Sequence, residues 1–337
     1  MSKEKVKQAQ EESQKSSLAD LPLEEAIKVL AALPPLEYEQ QRTDKAEELG
    51  ISRIQILDKE VSKARKENSP DSSAGKIVSL YEPKPWHEPV NGAEVLQMAA
   101  DAINRHMVIR AADTDAAALW AMHAHVFNVF SHSARFLITA PDAECGKTVL
   151  MSHMIGNMVT RPQAVELLKP APFFRLAEAF QPTFLIDEAD VFLREDADLL
   201  AAINNGWEPH GGVIRCVGDD NEVKLFSTHC PVALAGIEMH KHLPATTISR
   251  SIVVHLERAA DDEIADEDIY DKRQHQKHIR DIGRRMARWC EDNKTALSEA
   301  APVMPDKLRN RLADKWRPLF AIAELAGGDW LARVRNA

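Results

Sequence analysis

The sequence predicts an α/β fold, a parallel sheet flanked by helices, with a helical region before it and another after it. Three observations carry this reading. The apolar run Arg135–Ala140 leads directly into a loop ending Gly146-Lys147-Thr148, with a helix-compatible stretch behind it. A second apolar run, Phe184 to Ile186, ends in the acidic pair Asp187-Glu188. Around them, strand-length apolar runs alternate with helix-length segments, as when crossover helices lay strands parallel.

The 337 residues divide by composition. Residues 1–18 are charged and rich in Gln and Ser, the signature of a disordered tail. Residues 19–67 are expected to be helical, with segments over 36–49 and 53–66 around Gly50. Ile54, Leu57 and Val61 fall on one face of the second segment. Residues 68–91 form a proline-stiffened linker that Asn91-Gly92 closes. A core over 92–258 follows, then a helical lid over 259–337. Within the core we expect helices 93–106 and 113–131, strand 135–140, helix 147–159, strand 164–168, helix 172–180, strand 183–188 and helix 195–206. A hairpin of 213–217 and 223–227 and strands 231–237 and 252–257 complete it.

Net charge is −10, so no global basic field draws the chain to nucleic acid or membrane. The four cysteines, Cys145, Cys216, Cys230 and Cys290, form no C-x-x-C pair, which suits a reducing cytoplasm. The polar N-terminus is unlike a secretory signal, and no apolar run has the length of a bilayer span, so no membrane partner is expected. His123, His125, His132, His240 and His242 form no metal-ligating pattern with carboxylates.

Loop 141–149 carries the chemistry. Backbone N–H groups at a helix start, reinforced by the helix dipole, favour phosphate, and Gly146 permits close approach. Lys147 offers charge to the β- and γ-phosphates, and Thr148 a hydroxyl to Mg²⁺. Pro141, Asp142, Ala143, Glu144, Cys145 and Val149 complete the expected nucleotide-binding stretch. Pro141 stands where the usual pattern has its first Gly, so the first turn is built on a fixed φ. Alkylation of Cys145 is expected to block nucleotide access. Asp187 is the second candidate Mg²⁺ ligand, and Glu188 the group that orients attacking water. The implied cofactors are ATP and Mg²⁺. Arg250 precedes an apolar strand, and Arg317 lies in Lys-Trp-Arg-Pro on a C-terminal helix, where phosphate contact from the lid side is expected.

The element order resembles the AAA+ division of P-loop NTPases, and the hairpin 213–227 resembles the pre-sensor hairpin of helicase-related members. Residues of about 80 to 330 also resemble a family of unassigned function found in phage, plasmid and genomic-island proteins. The matching segments are Trp86–Ala93, Glu144–Thr148, Leu185–Asp190, Arg215–Gly218, Ala233–Ile237, Ser249–Ile252 and Asp314–Leu319. These resemblances imply a Mg²⁺-dependent ATPase working as a homo-oligomer in mobile-element DNA metabolism, helicase-like, translocase-like or loader-like. They imply that Arg250 completes a neighbouring subunit's site, where such a finger is worth about 10³–10⁵ in rate. The matching chains usually continue beyond the position where this one ends.

Two further readings stand beside it. One is a nucleotide-dependent protein-interaction switch with slow or no hydrolysis. The other is an effector or regulator in phage defence, coupled to a separate nuclease. For DNA as partner, residues 43–66 resemble a helix-turn-helix, with Arg53, Lys59, Lys63, Arg65 and Lys66 available to phosphates. Asp58, Glu60 and Glu67 interleave with them, as on a solvated face. The hairpin tip is acidic, which disfavours gripping DNA there. A basic cluster, Arg280, Arg284, Arg285 and Arg288, is a second candidate contact.

Overall fold

The computed structural model describes residue 18 and residues 21–68, 80–194, 196–217, 221–260 and 263–337. Residues 1–17 of the expected tail, 69–79 of the expected linker and the hairpin turn 218–220 lie outside the described residues. The chain divides into two compact units, residues 1–78 and 79–337.

The first unit contains α1 (Leu23–Ala32), α2 (Pro35–Glu48) and α3 (Ile54–Asn68). Leu57 and Val61, one turn apart on α3, are buried with Ala26 and Leu30 of α1 and Ala46 of α2. Gly50 takes φ +71° between α2 and α3, and the Ile51 N–H returns to Ala46 O at 2.8 Å. Tyr38 and Arg42 donate to Asp58 at 2.8 and 3.0 Å. Asp58 therefore ties α2 to α3, while Arg53, Lys59 and Lys63 are exposed.

The second unit begins with an extended segment and α4 (Gly92–His106), whose first turn is capped by Asn91 Oδ1 accepting from Glu94 N at 3.1 Å. Then come α5 (Ala111–His123) and β1 (Arg135–Ala140). Next are α6, π-helical over Val149–Ile155 and α-helical over Gly156–Met158, then β2 (Pro162–Val165), α7 (Pro170–Phe180) and β3 (Thr183–Ile186). They are followed by α8 (Ala189–Phe192), α9 (Ala197–Asn205), and the hairpin β4 (Gly212–Val217) and β5 (Glu222–Ser227). After these come β6 (Val232–Ile237), α10 (Met239–His242), α11 (Ala245–Ile248) and β7 (Ser251–His255). Helices α12 (Lys272–Glu299), α13 (Arg311–Ala326) and α14 (Trp330–Asn336) end the chain.

The architecture is α/β. Five strands form a parallel sheet in the order β2-β3-β6-β1-β7, and β4-β5 pair antiparallel apart from it. Alternation along each strand sends side chains to opposite faces. Phe136, Ile138, Leu185, Ala233, Ala235, Ile252 and Val254 pack under α4, α5, α6, α12 and α13. Leu137, Phe184, Ile186, Val232 and Leu234 pack under α7, α8 and α9. Both faces are covered, so the central strands are apolar apart from Arg135, Thr139 and Thr183, as suits buried parallel strands.

Several elements differ from expectation for physical reasons. The helix expected over 113–131 ends at His123, where Val126 leaves helical geometry and the His125 ring hydrogen-bonds Met158 O at 2.8 Å. Strand 164–168 is displaced to Pro162–Val165, because pairing with β3 puts Pro162 opposite Thr183 and Val165 opposite Ile186. Strand 183–188 stops at Ile186, since Glu188 turns left-handed (φ +51°) to start α8.

Arg135 is fully buried and donates to Ile203 O, at the last turn of α9, and to Cys230 O. Burial lowers its pKa to about 10, leaving it charged at neutral pH. The cation thus pairs with one helix-end carbonyl and one loop carbonyl in place of a carboxylate.

His123 is also fully buried, and neither ring nitrogen has a partner among the described residues. Burial, with the nearby His229 and Arg135, lowers its pKa to about 3. Burial likewise lowers His125 and His229 to about 4. The unfolded chain takes up these protons below about pH 6.5 and the folded chain only nearer pH 3–4, so stability falls as pH drops through that window. In urea unfolding at pH 7.5 and pH 5, His123→Phe should lose about 2 kcal/mol less than the parent on acidification. Equal losses would contradict a neutral buried His123.

Candidate functional site

All five parallel strands present their carboxyl ends on one edge. The connection leaving β1 runs through α6 on one face, where Leu150, Met154 and Ile155 join the core. The connection leaving the neighbouring β6 turns to the opposite face, where Met239 and Leu243 are buried. Divergence of adjacent connections opens a crevice at the carboxyl ends, where open α/β sheets bind ligands.

Loop 141–148 leaves β1 into this crevice. Pro141, Asp142, Ala143, Glu144 and Thr148 are exposed, whereas Gly146, Lys147 and Val149 are partly covered. Gly146 has φ +80°, a backbone conformation that L side chains rarely adopt, so the turn itself calls for glycine. The amides of Gly146, Lys147 and Thr148 carry no hydrogen bond among the described residues, as expected of first-turn N–H groups. Lys147 Nζ donates to Asp142 O at 2.8 Å and closes over the loop. Glu144 pairs with Arg258 at 3.2 Å. The π-helical turn that follows is a wide geometry enriched at functional sites.

The loop meets the acidic pair. Thr148 Oγ1 donates to Asp187 Oδ2 at 3.2 Å, and Asp187 Oδ1 accepts the Glu188 N–H at 3.0 Å. Asp187 is partly covered and Glu188 exposed. Three glutamates on this edge have left-handed backbones, Glu144 (φ +61°), Glu188 (+51°) and Glu238 (+42°). Such conformations cost about 1–3 kcal/mol each and persist where packing dictates them. Glu238 follows β6, its N–H donates to Ala140 O at 2.9 Å, and its carboxylate pairs with Lys241. The Lys241 hydrogen bond holds its pKa below the usual carboxylate range. Sequence reasoning missed Glu238, because only the β1–β6 pairing brings it beside the loop.

Beside the loop lies a cavity of about 270 Å³, lined by Met107, Val108, Cys145, Val149, His153 and Tyr270 among others. His153 and Tyr270 stack at 4.5 Å, and His106 Nδ1 lies 2.6 Å from Asp268 O. Burial holds His106 below the usual imidazole range; burial and Lys272 do the same for His153. These residues come from segments far apart in sequence, and no spacing signalled them.

One expected residue, Arg250, is not brought to the loop in its own chain. Arg250 stands at the amino end of β7, its carbonyl accepting Arg135 N–H at 3.0 Å and its Nη1 donating to Thr246 O at 2.9 Å. Burial and the nearby Arg311 lower its pKa. Arg317 lies on α13 two residues after Lys315, whose Nζ holds Ser251 O at 2.7 Å, again at the amino end of β7. Among the described residues, no cluster of three or more His, Cys, Asp or Glu side chains could hold a metal, and no helix is long and apolar enough to cross a membrane.

A family described as "Protein of unknown function (DUF3631)" matches residues 255–337, the stretch from the end of β7 through α14. The resemblance read over about 80–330 is thus supported in its C-terminal part. A relative described as "Uncharacterized 28.9 kDa protein in xis 5'region", from Saccharopolyspora erythraea, is 41% identical over 68 residues. That alignment spans 20% of this chain and 25% of the relative.

Cys145 is buried, with Sγ 3.5 Å from Ala143 O, whereas Cys216 on β4 is exposed. Burial raises the Cys230 thiol to about 12 and raises Cys290 as well. Under native conditions iodoacetamide should label Cys216 at least about tenfold faster than Cys145, read by peptide mass mapping. Equal rates would contradict the closed loop.

Proposed function

We propose that this chain is a P-loop, AAA+-like ATPase that binds ATP with Mg²⁺ at the carboxyl edge of β1, β3 and β6 and hydrolyses it. The observation that carries this reading is the Thr148–Asp187 hydrogen bond of 3.2 Å, which joins the glycine–lysine–threonine loop to the acidic strand end. Free first-turn amides and Lys147 form the phosphate cradle. The residues also fit Mg²⁺. Thr148 Oγ1 and Asp187 Oδ2 are adjacent hard oxygens, and this ion is commonly held by one or two protein groups with phosphates and water. When bound, it supplies charge neutralisation at the transferring phosphoryl group. Glu188 orients water toward the γ-phosphorus; the bond to the bridging oxygen breaks and ADP and phosphate leave. The cavity beside Val149 and Tyr270 is the seat for the base, with adenine favoured by the resemblance alone.

The amino-end position of Arg250 supports action on a neighbouring subunit rather than its own, and hence a homo-oligomer. The relative's description by a xis 5' region supports a mobile-element setting, with DNA as the substrate of the motion. One feature favours the protein-interaction switch instead. Ile214, Val223 and Leu225 make an apolar face on the β4–β5 hairpin, 66%, 71% and 63% exposed. In that case DNA would leave hydrolysis unchanged.

Lys147→Ala should abolish saturable binding of a fluorescent ATP analogue, and Glu188→Gln should retain binding while phosphate release falls about 10²–10⁴-fold. Release at the parent rate from Glu188→Gln would refute its role. Mixing Arg250→Ala with Glu188→Gln chains should restore part of the activity that each lacks alone. No rescue under conditions of proven subunit exchange would count against a shared site.

A further inference from the structure

Helix α12 carries Arg273, Lys277, Arg280 and Arg284 at i, i+4, i+7 and i+11, which is one continuous helical face. Against it lies the extended segment before α4. The Trp86 N–H donates to Arg284 O at 2.9 Å, and Arg284 Nε donates to Lys84 O at 3.0 Å. The Arg285 guanidinium lies 3.7 Å from the Trp86 ring centroid. Pro83 and Pro85 stiffen this strap, so the groove between strap and helix is preformed. The groove measures about 660 Å³ and is lined by six cations, Lys84, Lys272, Arg273, Lys277, Arg280 and Arg284, against two carboxylates. One of those two, Asp281, is already paired with Arg284 at 3.1 Å. Lys84, Lys272, Arg273 and Lys277 are exposed and have no ion pair among the described residues. Of the carboxylates near the groove, Glu82 is exposed within its lining, and two others are engaged elsewhere. Asp268 is held by Arg105 at 2.6 Å, and Asp271 caps α12 through Arg273 N and Gln274 N.

Tyr81 stands at the groove, 46% exposed, with the Arg280 guanidinium 5.3 Å from its ring centroid. These four unpaired cations with an exposed aromatic ring beside them match a phosphate backbone carrying unstacked bases. A duplex hides its base faces, and an acidic protein segment has no base to stack. From this we infer that the groove between α12 and residues 81–86 binds single-stranded nucleic acid, its cations tracking phosphates and Tyr81 stacking a base. The cations supply a local basic field on a chain whose net charge is −10.

The groove is also joined to the far end of the helix that the proposed nucleotide loop opens. Gln276 and Arg280 both donate to Asn157 Oδ1 at 3.1 Å, near the end of α6, the helix opened by loop 141–148. Gly283 lets α12 approach this turn, since a Cβ there would lie 2.8 Å from Asn157 O and Met158 O. The inference deepens the nucleic-acid side of the proposed function and rests on it only for this coupling. Strand binding itself is measured without nucleotide, so failure of the ATPase reading and failure of this one are separable.

The test is fluorescence anisotropy of a labelled oligothymidylate of about twenty nucleotides with the full chain, at several salt concentrations. Saturable, salt-sensitive binding is expected. Arg273→Glu with Lys277→Glu should weaken it at least about tenfold and flatten the log–log salt slope by about 1.4. Tyr81→Ala should weaken it about tenfold with the salt slope unchanged, the mark of a stacked base rather than a charge. Unaltered far-ultraviolet circular dichroism and melting confirm that the variants fold. No saturable binding, parental affinity in the charge-reversed variant, equal affinity for a duplex of the same length, or equal competition by polyglutamate would each overturn the assignment.

Discussion

Pairing of β1 with both β6 and β7 is the constraint on which the candidate site depends. Beyond the strand registers, Ala140 O accepts Glu238 N–H, Thr139 Oγ1 accepts Met239 N–H, and Thr139 O accepts Leu256 N–H. The carboxyl ends of β6 and β7 are therefore locked to two residues of β1. Both faces of the sheet are buried, so a one-residue slip of a strand would turn each of its side chains to the opposite face and misfit both layers. Loop 141–148 hangs from this fixed edge. At the opposite end, Arg135 ties β1 to the end of α9, so the strand is anchored at both termini.

Much of this was legible from hydrophobicity alone. The strands β1, β3 and β6 are apolar on both faces because both faces are covered, and they announce themselves as uninterrupted runs. The expected hairpin arms 213–217 and 223–227 agree with β4 and β5 to within one residue. Strand β2 was misplaced because Pro162-Gln163-Ala164 is not an apolar run; its position comes from pairing with β3. The neighbour of β1 could not be read at all. Strand β6 arrives about ninety residues later in sequence and inserts between β1 and β3, bringing Glu238 with it.

The same contrast holds within the site. Lys147, Thr148 and Asp187 carry a local signature, because the proposed phosphate loop and an acidic strand end would each need specific residues in a row. The cavity has no such signature. Its walls come from the end of α4, the loop, α6 and the segment before α12, assembled by packing. Arg250 was picked out by residue type and local context, which cannot tell one end of a sheet from the other. The strap at 81–86 read as a stiff linker, and its prolines do stiffen it. That it lies along α12 depends on Trp86 meeting Arg284 and Arg285, a contact across roughly two hundred residues.

The claim that this edge seats a nucleotide is most directly tested by photocrosslinking with 2-azido-ATP in the presence of Mg²⁺, followed by peptide mapping. The account expects saturable labelling, suppressed by excess ATP, within peptides containing Met107, Val149–His153 or Tyr270. Labelling that does not saturate, or that maps to the first unit or to the α12 groove instead, would contradict it.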